Sequence, residues 1–416
     1  MPEYDTVIVG GGLSGLSCAR RLYEAGVSCV VLEKQPVVGG RVQTDVVNGF
    51  LLDRGFQVFL TSYPEARRQL DYDRLQLCKF EPGALIRYQG RFRRFSDPWR
   101  RPGHLLGTVA APVASLADKI RMGLLRNDVC RKSIDQLQQR PEVSTAMALR
   151  LRGFSPRVIE AFFRPFLGGV FLDNSLETSS RMFEFVFRMF SLGAAALPAQ
   201  GMGSIAAQMA AALPDAMVQC GVCVETVKSD HIVCDNGRVI TARNVVMAVD
   251  EASVAGLVCS KPVNGWRGTT CVYYAASAPP VEEPTLVING ESDGLVNNLC
   301  VPSQVSGTYA PEGKSLISVT VLGIPAAEDA ILDQQIRSQL VGWFGKQVQE
   351  WEPLRTYRIP AALPFQKAGS LTPVEKSVVN EQGLFCCGDY LDTASIQGAL
   401  ASGQRAGQAV LDRLGH

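Results

Sequence analysis

The sequence predicts an α/β chain in which a Rossmann-type dinucleotide-binding domain, assembled from three separated segments, is interleaved with a second domain of α+β character. Three observations predict it. Residues 7–33 carry a strand, a glycine turn, a helix, a strand and an acid in that order. Strand and helix alternation with glycine punctuation, first seen at about 4–60, returns near 215–250 and 384–413. The material between has another texture, mostly helical over about 104–212 and strand-like over about 262–325. The expected division assigns 1–85, 195–260 and 355–416 to the dinucleotide domain, and 86–194 with 261–354 to the second. More than one core is expected of 416 residues, because single cores stop growing near roughly 250–300 residues. A hydrophobic content of 46% excludes global disorder.

The first element is the short buried strand Val7-Ile8-Val9, followed by Gly10-Gly11-Gly12-Leu13-Ser14-Gly15 and a helix from Leu16 to Ala25 closed by Gly26. Gly10 permits the tight turn, Gly12 lets the backbone approach a pyrophosphate, and Gly15 lets helix and strand pack closely. Leu13 and Ser14 then stand at the helix N-terminus, where phosphates are favoured. Ser28 to Leu32 reads as the second strand and leads into Glu33 and Lys34. The Glu33 carboxylate falls where a ribose 2′-hydroxyl would be bound, and it would repel a 2′-phosphate. A ligand-free glycine turn would not account for the whole ordered set.

Further along, helices are expected at Ala114 to Ile134 and Ser144 to Arg152, and strands at Thr269 to Ala275, Thr285 to Asn289 and Ser315 to Leu322. A second glycine run, Gly201-Met202-Gly203-Ser204-Ile205-Ala206, reads as a loop entering a helix, because Pro198-Ala199-Gln200 precedes it in place of a strand.

Composition narrows the chemistry. Lysine and arginine total 41 against 40 acids, so the net charge of +1 offers no field for a polyanion and no nucleic-acid partner is expected. The longest apolar stretches, such as Leu192 to Ala199, fall far short of the roughly 20 residues of a membrane span. Met1 to Asp5 runs straight into the first strand without a signal-peptide pattern. The twelve scattered cysteines then read as mostly reduced thiols in a cytoplasmic or stromal-like compartment. His104, His231 and His416 lie far apart and no G-x-S-x-G elbow occurs, so neither a metal site nor a serine hydrolase is expected. The chemistry is expected to be a cofactor's.

Val7 to Leu22 with Glu33, then Val38-Gly39-Gly40-Arg41, Gly49 to Gly55 and Leu384 to Gly403, together resemble the flavin-containing amine oxidase and phytoene desaturase superfamily. That resemblance implies FAD bound across the whole chain. It implies noncovalent FAD, since Phe365 to Pro373, roughly where covalently flavinylated members carry their cysteine, contains none. It places Gly39, Gly40 and Arg41 against the diphosphate and flavin, where Arg41 offers a planar fork to phosphate oxygens. It brings Gly388 and Asp389 to the ribityl chain. It turns the first residues of the last helix, Ile396, Gln397 and Ala399, toward the pyrimidine end, where a helix N-terminus favours developing negative charge. Val218 to Val227 resembles the adenine-side strand, with the Val224 backbone meeting the base. The formal redox match Cys220-Gly221-Val222-Cys223 lies within that strand and reads as coincidence. The bland readings are a surface turn with a solvated arginine at Arg41 and an acidic loop capping a helix at Asp389.

The amine-oxidase branch carries a lysine on the strand resembling Gly268 to Tyr274 and often a cage tyrosine before the last helix, but this chain has Thr269 and Ser395 there. Gly388-Asp389-Tyr390 and Ala394 to Gly403 look more like plant and cyanobacterial carotene desaturases, and Arg164 to Phe171 resembles a segment those share with protoporphyrinogen oxidases. The expected activity is an FAD-dependent oxidoreductase abstracting hydride from a carbon of a small apolar or conjugated substrate, of carotenoid or isoprenoid type. Alternatives are an amine or amino-acid oxidase, a protoporphyrinogen oxidase-like enzyme, a flavin-dependent polyene isomerase and a non-catalytic prenyl-binding protein. No side chain is singled out as catalytic. The stripe Phe183, Phe185, Phe187, Phe190 reads as core or as a lipid channel. Arg87, Arg91, Arg93, Arg94, Arg100 and Arg101 interleave with Tyr88, Phe92, Phe95 and Trp99. They read as a solvated hairpin or as a peripheral patch for anionic lipid headgroups.

Overall fold

The structure, a computed structural model, describes residues 2–97, 100, 112–257 and 265–416. Tyr4–Val9, Cys29–Glu33, Val218–Cys220, Val239–Met247 and Phe385–Cys386 form a parallel sheet, continued by the antiparallel pair His231–Cys234 and Val224–Val227. All three separated segments therefore meet in one sheet. Its central strands are buried on both faces, as parallel strands require, and this is why they read as unbroken apolar runs: Val7, Ile8, Val30 and Val31 are fully buried. The helix Leu13–Glu24 and the last helix, Ile396–Leu414, pack against each other across glycines. A Cβ on Gly403 would lie 2.3 Å from the Ser14 carbonyl oxygen, so only glycine permits that approach.

A second sheet runs in the order Glu352–Pro364, Trp266–Ala276, Ser315–Leu322, Val296–Cys300, Leu286–Asn289, Gly83–Tyr88, Arg91–Ser96. It is antiparallel except where Leu286–Asn289 runs parallel to Gly83–Tyr88. The expected boundaries at 85 and 355 are corrected by this pairing, because both cut through strands that belong wholly to the second sheet. Helices Leu116–Arg131 and Thr145–Leu151 fall where periodicity placed them, the first opened by a Ser115–Asp118 capping box. Ser180–Leu192 packs against Leu116–Arg131, and Arg164–Phe171 packs on the second sheet against Val296–Cys300, Leu286–Asn289 and Ser315–Leu322. Among the described residues no helix is long and apolar enough to cross a membrane.

Two further expectations change. Val218 to Val227 is two strands, broken at Gly221 with φ +75°, so Cys220 ends the first and Cys223 lies in the link before the second. The second glycine run is preceded by a strand after all, Ala195–Pro198, which pairs antiparallel with Phe59–Leu60 and Leu77–Lys79. The helix that follows, Gly203–Ala211, has its entry satisfied by protein: the Met202 and Gly203 amides donate to Asp53 Oδ1 and Thr44 Oγ1, each at 2.9 Å. That leaves the turn no role as an anion seat.

Candidate functional site

Between the two sheets lies one cavity of about 1370 Å³. That exceeds the roughly 300–1,000 Å³ typical of a single-ligand pocket, and leaves room for a cofactor with a substrate beside it. Gly10, Gly12, Leu13, Ser14, Glu33, Lys34, Gly39, Gly40, Arg41, Val224, Gly388, Asp389, Ile396 and Ala399 all line it. Of the residues expected at the cofactor, only Gly15 and Gln397 are not among them.

The seat is built from the backbone outward. No side chain caps the helix Leu13–Glu24, so the N–H groups of its first turn, which an α-helix leaves without internal partners, stand beside the cavity at Leu13 and Ser14. Gly12 opens onto the same space, where an added Cβ would meet nothing within 4 Å. Gly15 does not line the cavity but works one layer beneath it, where a Cβ would sit 2.1 Å from the Gly10 carbonyl oxygen. Gly12 and Gly39 form an isolated β-bridge that joins the two glycine turns. The buried Glu33 carboxylate accepts from the Gly11 amide at 2.7 Å and the Gln35 amide at 2.8 Å. One bond per oxygen leaves lone pairs for the two hydroxyls of a ribose.

Arg41 and Asp389, 348 positions apart in sequence, meet as a bidentate pair with bonds of 2.9 and 2.6 Å. Arg41 also donates to the Ala362 carbonyl at 3.1 Å and lies over the Trp266 ring at 5.2 Å. Its fork thus faces the acid expected at the ribityl side. At the last helix, Ser395 accepts from the Gly398 amide at 3.1 Å, and Gln397 turns away to accept the Glu65 amide at 2.8 Å. The Gln397 side chain thus braces the helix Pro64–Gln69, while Ile396 and Ala399 stand at the wall.

The rest of the cavity is mostly apolar. The phenylalanine stripe divides: Phe183 and Phe185 are core, whereas Phe187 and Phe190 join Met182 and Val186 at the wall. A π turn, Ile159–Phe163, precedes Arg164–Phe171 and brings in Phe162 and Phe166, stacked at 5.4 Å, with Phe166 against Phe190 at 5.3 Å. Where the halves meet, the wall carries Thr269, Ser395, Gln57 and the phenol of Tyr63. Burial pushes that phenol far above its ordinary range, so it stays protonated. Sequence reasoning missed Gln57 and Tyr63. Their only local signal is the proline that follows Tyr63 and opens a helix.

The basic ribbon is a hairpin, Gly83–Tyr88 and Arg91–Ser96. Phe92 stacks on Phe344 at 5.2 Å and Phe95 meets Phe162 at 4.8 Å, so both rings face protein. Arg94 pairs with Glu283 at 2.5 Å and Arg87 with Glu291 at 3.5 Å. Trp99 and Arg101 lie outside the described residues.

The family model described as flavin containing amine oxidoreductase matches residues 13–411. Protoporphyrinogen oxidase 2, chloroplastic/mitochondrial, of Arabidopsis thaliana is 25% identical over 162 residues, covering 39% of this chain and 31% of that protein. The 15-cis-phytoene desaturase of Narcissus pseudonarcissus is 32% identical over 109 residues, covering 25% of this chain and 19% of its own. The aligned stretches thus span less than a third of either relative. A solved structure of a putrescine oxidase variant superposes with a TM-score of 0.74 over 99% of both chains at 17% identity, a likeness of fold.

Proposed function

The chain belongs to the flavin containing amine oxidoreductase family and is an FAD-dependent oxidoreductase, and from that premise we propose that it withdraws hydride from a carbon of an apolar or conjugated substrate of isoprenoid type. The observation that carries the proposal is the wall formed by Met182, Val186, Phe187, Phe190, Phe162 and Phe166, which leads to the neutral group Thr269, Ser395, Gln57 and Tyr63. The glycine turns, open at Gly12, and the Glu33 carboxylate fit the cofactor. Bound FAD supplies the two-electron acceptor. Glu33 holds the ribose of the adenosine, Asp389 fixes the ribityl side, and Arg41 locks Asp389 in place. The aromatic wall orients a long apolar molecule and excludes water, which suits abstraction from an activated C–H bond more than it suits a charged amine. An ammonium group entering here would be desolvated among neutral side chains, a cost it would have to meet before reacting. The local likeness to a phytoene desaturase supports the same reading.

Anaerobic stopped-flow mixing tests it. Primary, secondary and polyamines are expected to leave the oxidised flavin band unchanged, whereas a long conjugated or isoprenoid compound delivered in detergent or liposomes bleaches it. Rapid bleaching by a simple amine, with none by any lipid-soluble polyene, would reject the proposal in favour of an amine oxidase.

A further inference from the structure

The second sheet floors the apolar half of the cavity, and its register fixes what a bound chain passes over. Asn298 is paired with Thr320, and Thr320 with Cys271, so Asn298 lies two strands across from Cys271, itself two residues along from Thr269. Side chains directly opposite, or two apart on one strand, share a face. Asn298 and Thr269 therefore stand on one floor about 12 Å apart, given a strand spacing near 4.8 Å and a rise of about 3.4 Å per residue. Both line the cavity, and beyond Asn298 the floor continues through Leu286, Ala84 and Phe95, all apolar. Among the described residues, Asn298 is the polar side chain that this floor presents between Thr269 and Phe95.

Its amide is oriented by the protein. The Pro165 carbonyl oxygen can only accept, so the Asn297 atom that meets it at 3.0 Å is the nitrogen, which also donates to Asn298 Oδ1 at 2.9 Å. With its oxygen so committed, Asn298 donates one amide hydrogen to Thr320 Oγ1 at 3.1 Å. The second hydrogen has no acceptor among the described residues, although Asn298 is only 3% exposed. Gly169, also on the wall, leaves that amide uncovered, since a Cβ there would lie 3.1 Å from Asn298 Oδ1. A donor buried in an apolar wall costs free energy until something accepts from it. A hydrocarbon lying over the amide would exclude water and leave it unpaired, whereas an oxygen on the chain would take the bond.

We propose that Asn298 determines specificity by donating a hydrogen bond to a neutral oxygen of the substrate, a carbonyl or a hydroxyl, held about 12 Å from the reacting carbon. The inference rests on the apolar-substrate reading and narrows it to oxygenated isoprenoids. An amide suits a neutral acceptor, because it brings no charge to offset the desolvation of an anion. The bond also fixes the chain lengthwise, which a plain hydrocarbon cannot do, and so sets which carbon lies beside Thr269.

The test compares farnesylacetone, an isoprenoid ketone, with the isosteric hydrocarbon in which a methylene group replaces the carbonyl oxygen. Binding of each radiolabelled compound to FAD-loaded protein is measured by equilibrium dialysis in one detergent. The ratio of ketone to hydrocarbon affinity is expected to fall about three- to tenfold in Asn298→Leu, the loss of one hydrogen bond, with flavin content unchanged. Thr320→Val breaks the same hydrogen-bond chain but keeps the amide, so it is expected to hold the parental ratio; a purely structural role would respond to both changes. In the parent protein the infrared carbonyl band of bound farnesylacetone is expected below its position in a hydrocarbon solvent, a signature that needs no variant to fold. An unshifted band, or a ratio that Asn298→Leu leaves unchanged, would overturn the role of Asn298 and leave the apolar reading standing. Binding of neither compound would overturn both.

Discussion

Gly12→Leu is expected to purify as a folded but colourless chain. The backbone at Gly12 has φ −73° and ψ 177°, extended geometry that leucine adopts freely, and a Cβ there meets nothing within 4 Å. The new side chain can only enter the cavity, in the volume the diphosphate needs. Gly15→Val is its counterpart, because there a Cβ would lie 2.1 Å from the Gly10 carbonyl oxygen and 3.0 Å from the Ala248 Cβ. Backbone cannot yield that distance, so the variant is expected to lose the fold and not merely the flavin. Circular dichroism and the ratio of flavin to protein absorbance separate the two outcomes. A yellow Gly12→Leu protein with full flavin content would mean that the phosphates lie elsewhere.

The second large effect belongs to the acids. Glu33→Ala and Asp389→Ala are each expected to weaken FAD binding by one to two decades, since a hydrogen bond to a charged group contributes about 1.5–3 kcal/mol. Glu33→Ala also strips the Gly11 and Gln35 amides of their acceptor, and Glu33→Gln separates that structural cost from the lost ribose contact. Asp389→Ala releases Arg41, whose side chain is 38% exposed and can rehydrate, so the fold is expected to survive. Titration of the flavin-free variants with FAD, followed by flavin fluorescence, measures both effects. Full occupancy in the double variant at parental FAD concentration would show the cofactor seat to be misassigned.

What was legible in the sequence is what local patterning controls. The first βαβ unit could be read because glycines, apolar runs and an acid follow one another within 33 residues. Ser315–Leu322 has the expected limits because its β-branched residues are contiguous. Partner choice between distant strands was not legible. Gly83–Tyr88 belongs to the second sheet only because Leu286–Asn289, some two hundred positions later, runs parallel beside it. Glu352–Pro364 likewise takes its place from Trp266–Ala276. At the site, the cluster from Gly10 to Arg41 was visible as motif. The pairing of Arg41 with Asp389 and the turning away of Gln397 depend on where the last helix lands, which no local spacing records. The phenylalanine stripe is an intermediate case, since its helical period was readable but not which of its residues would face the cavity.

The central claim is that three separated segments of the chain build one noncovalent seat for FAD. Its most direct measurement is to load the purified protein with FAD, remove the excess, precipitate the chain with heat or acid, and record the flavin spectrum of the supernatant against the protein recovered. Close to one FAD per chain is expected, all of it released. A protein that retains no flavin after loading, or whose flavin remains with the pellet and with a peptide after proteolysis, would contradict it.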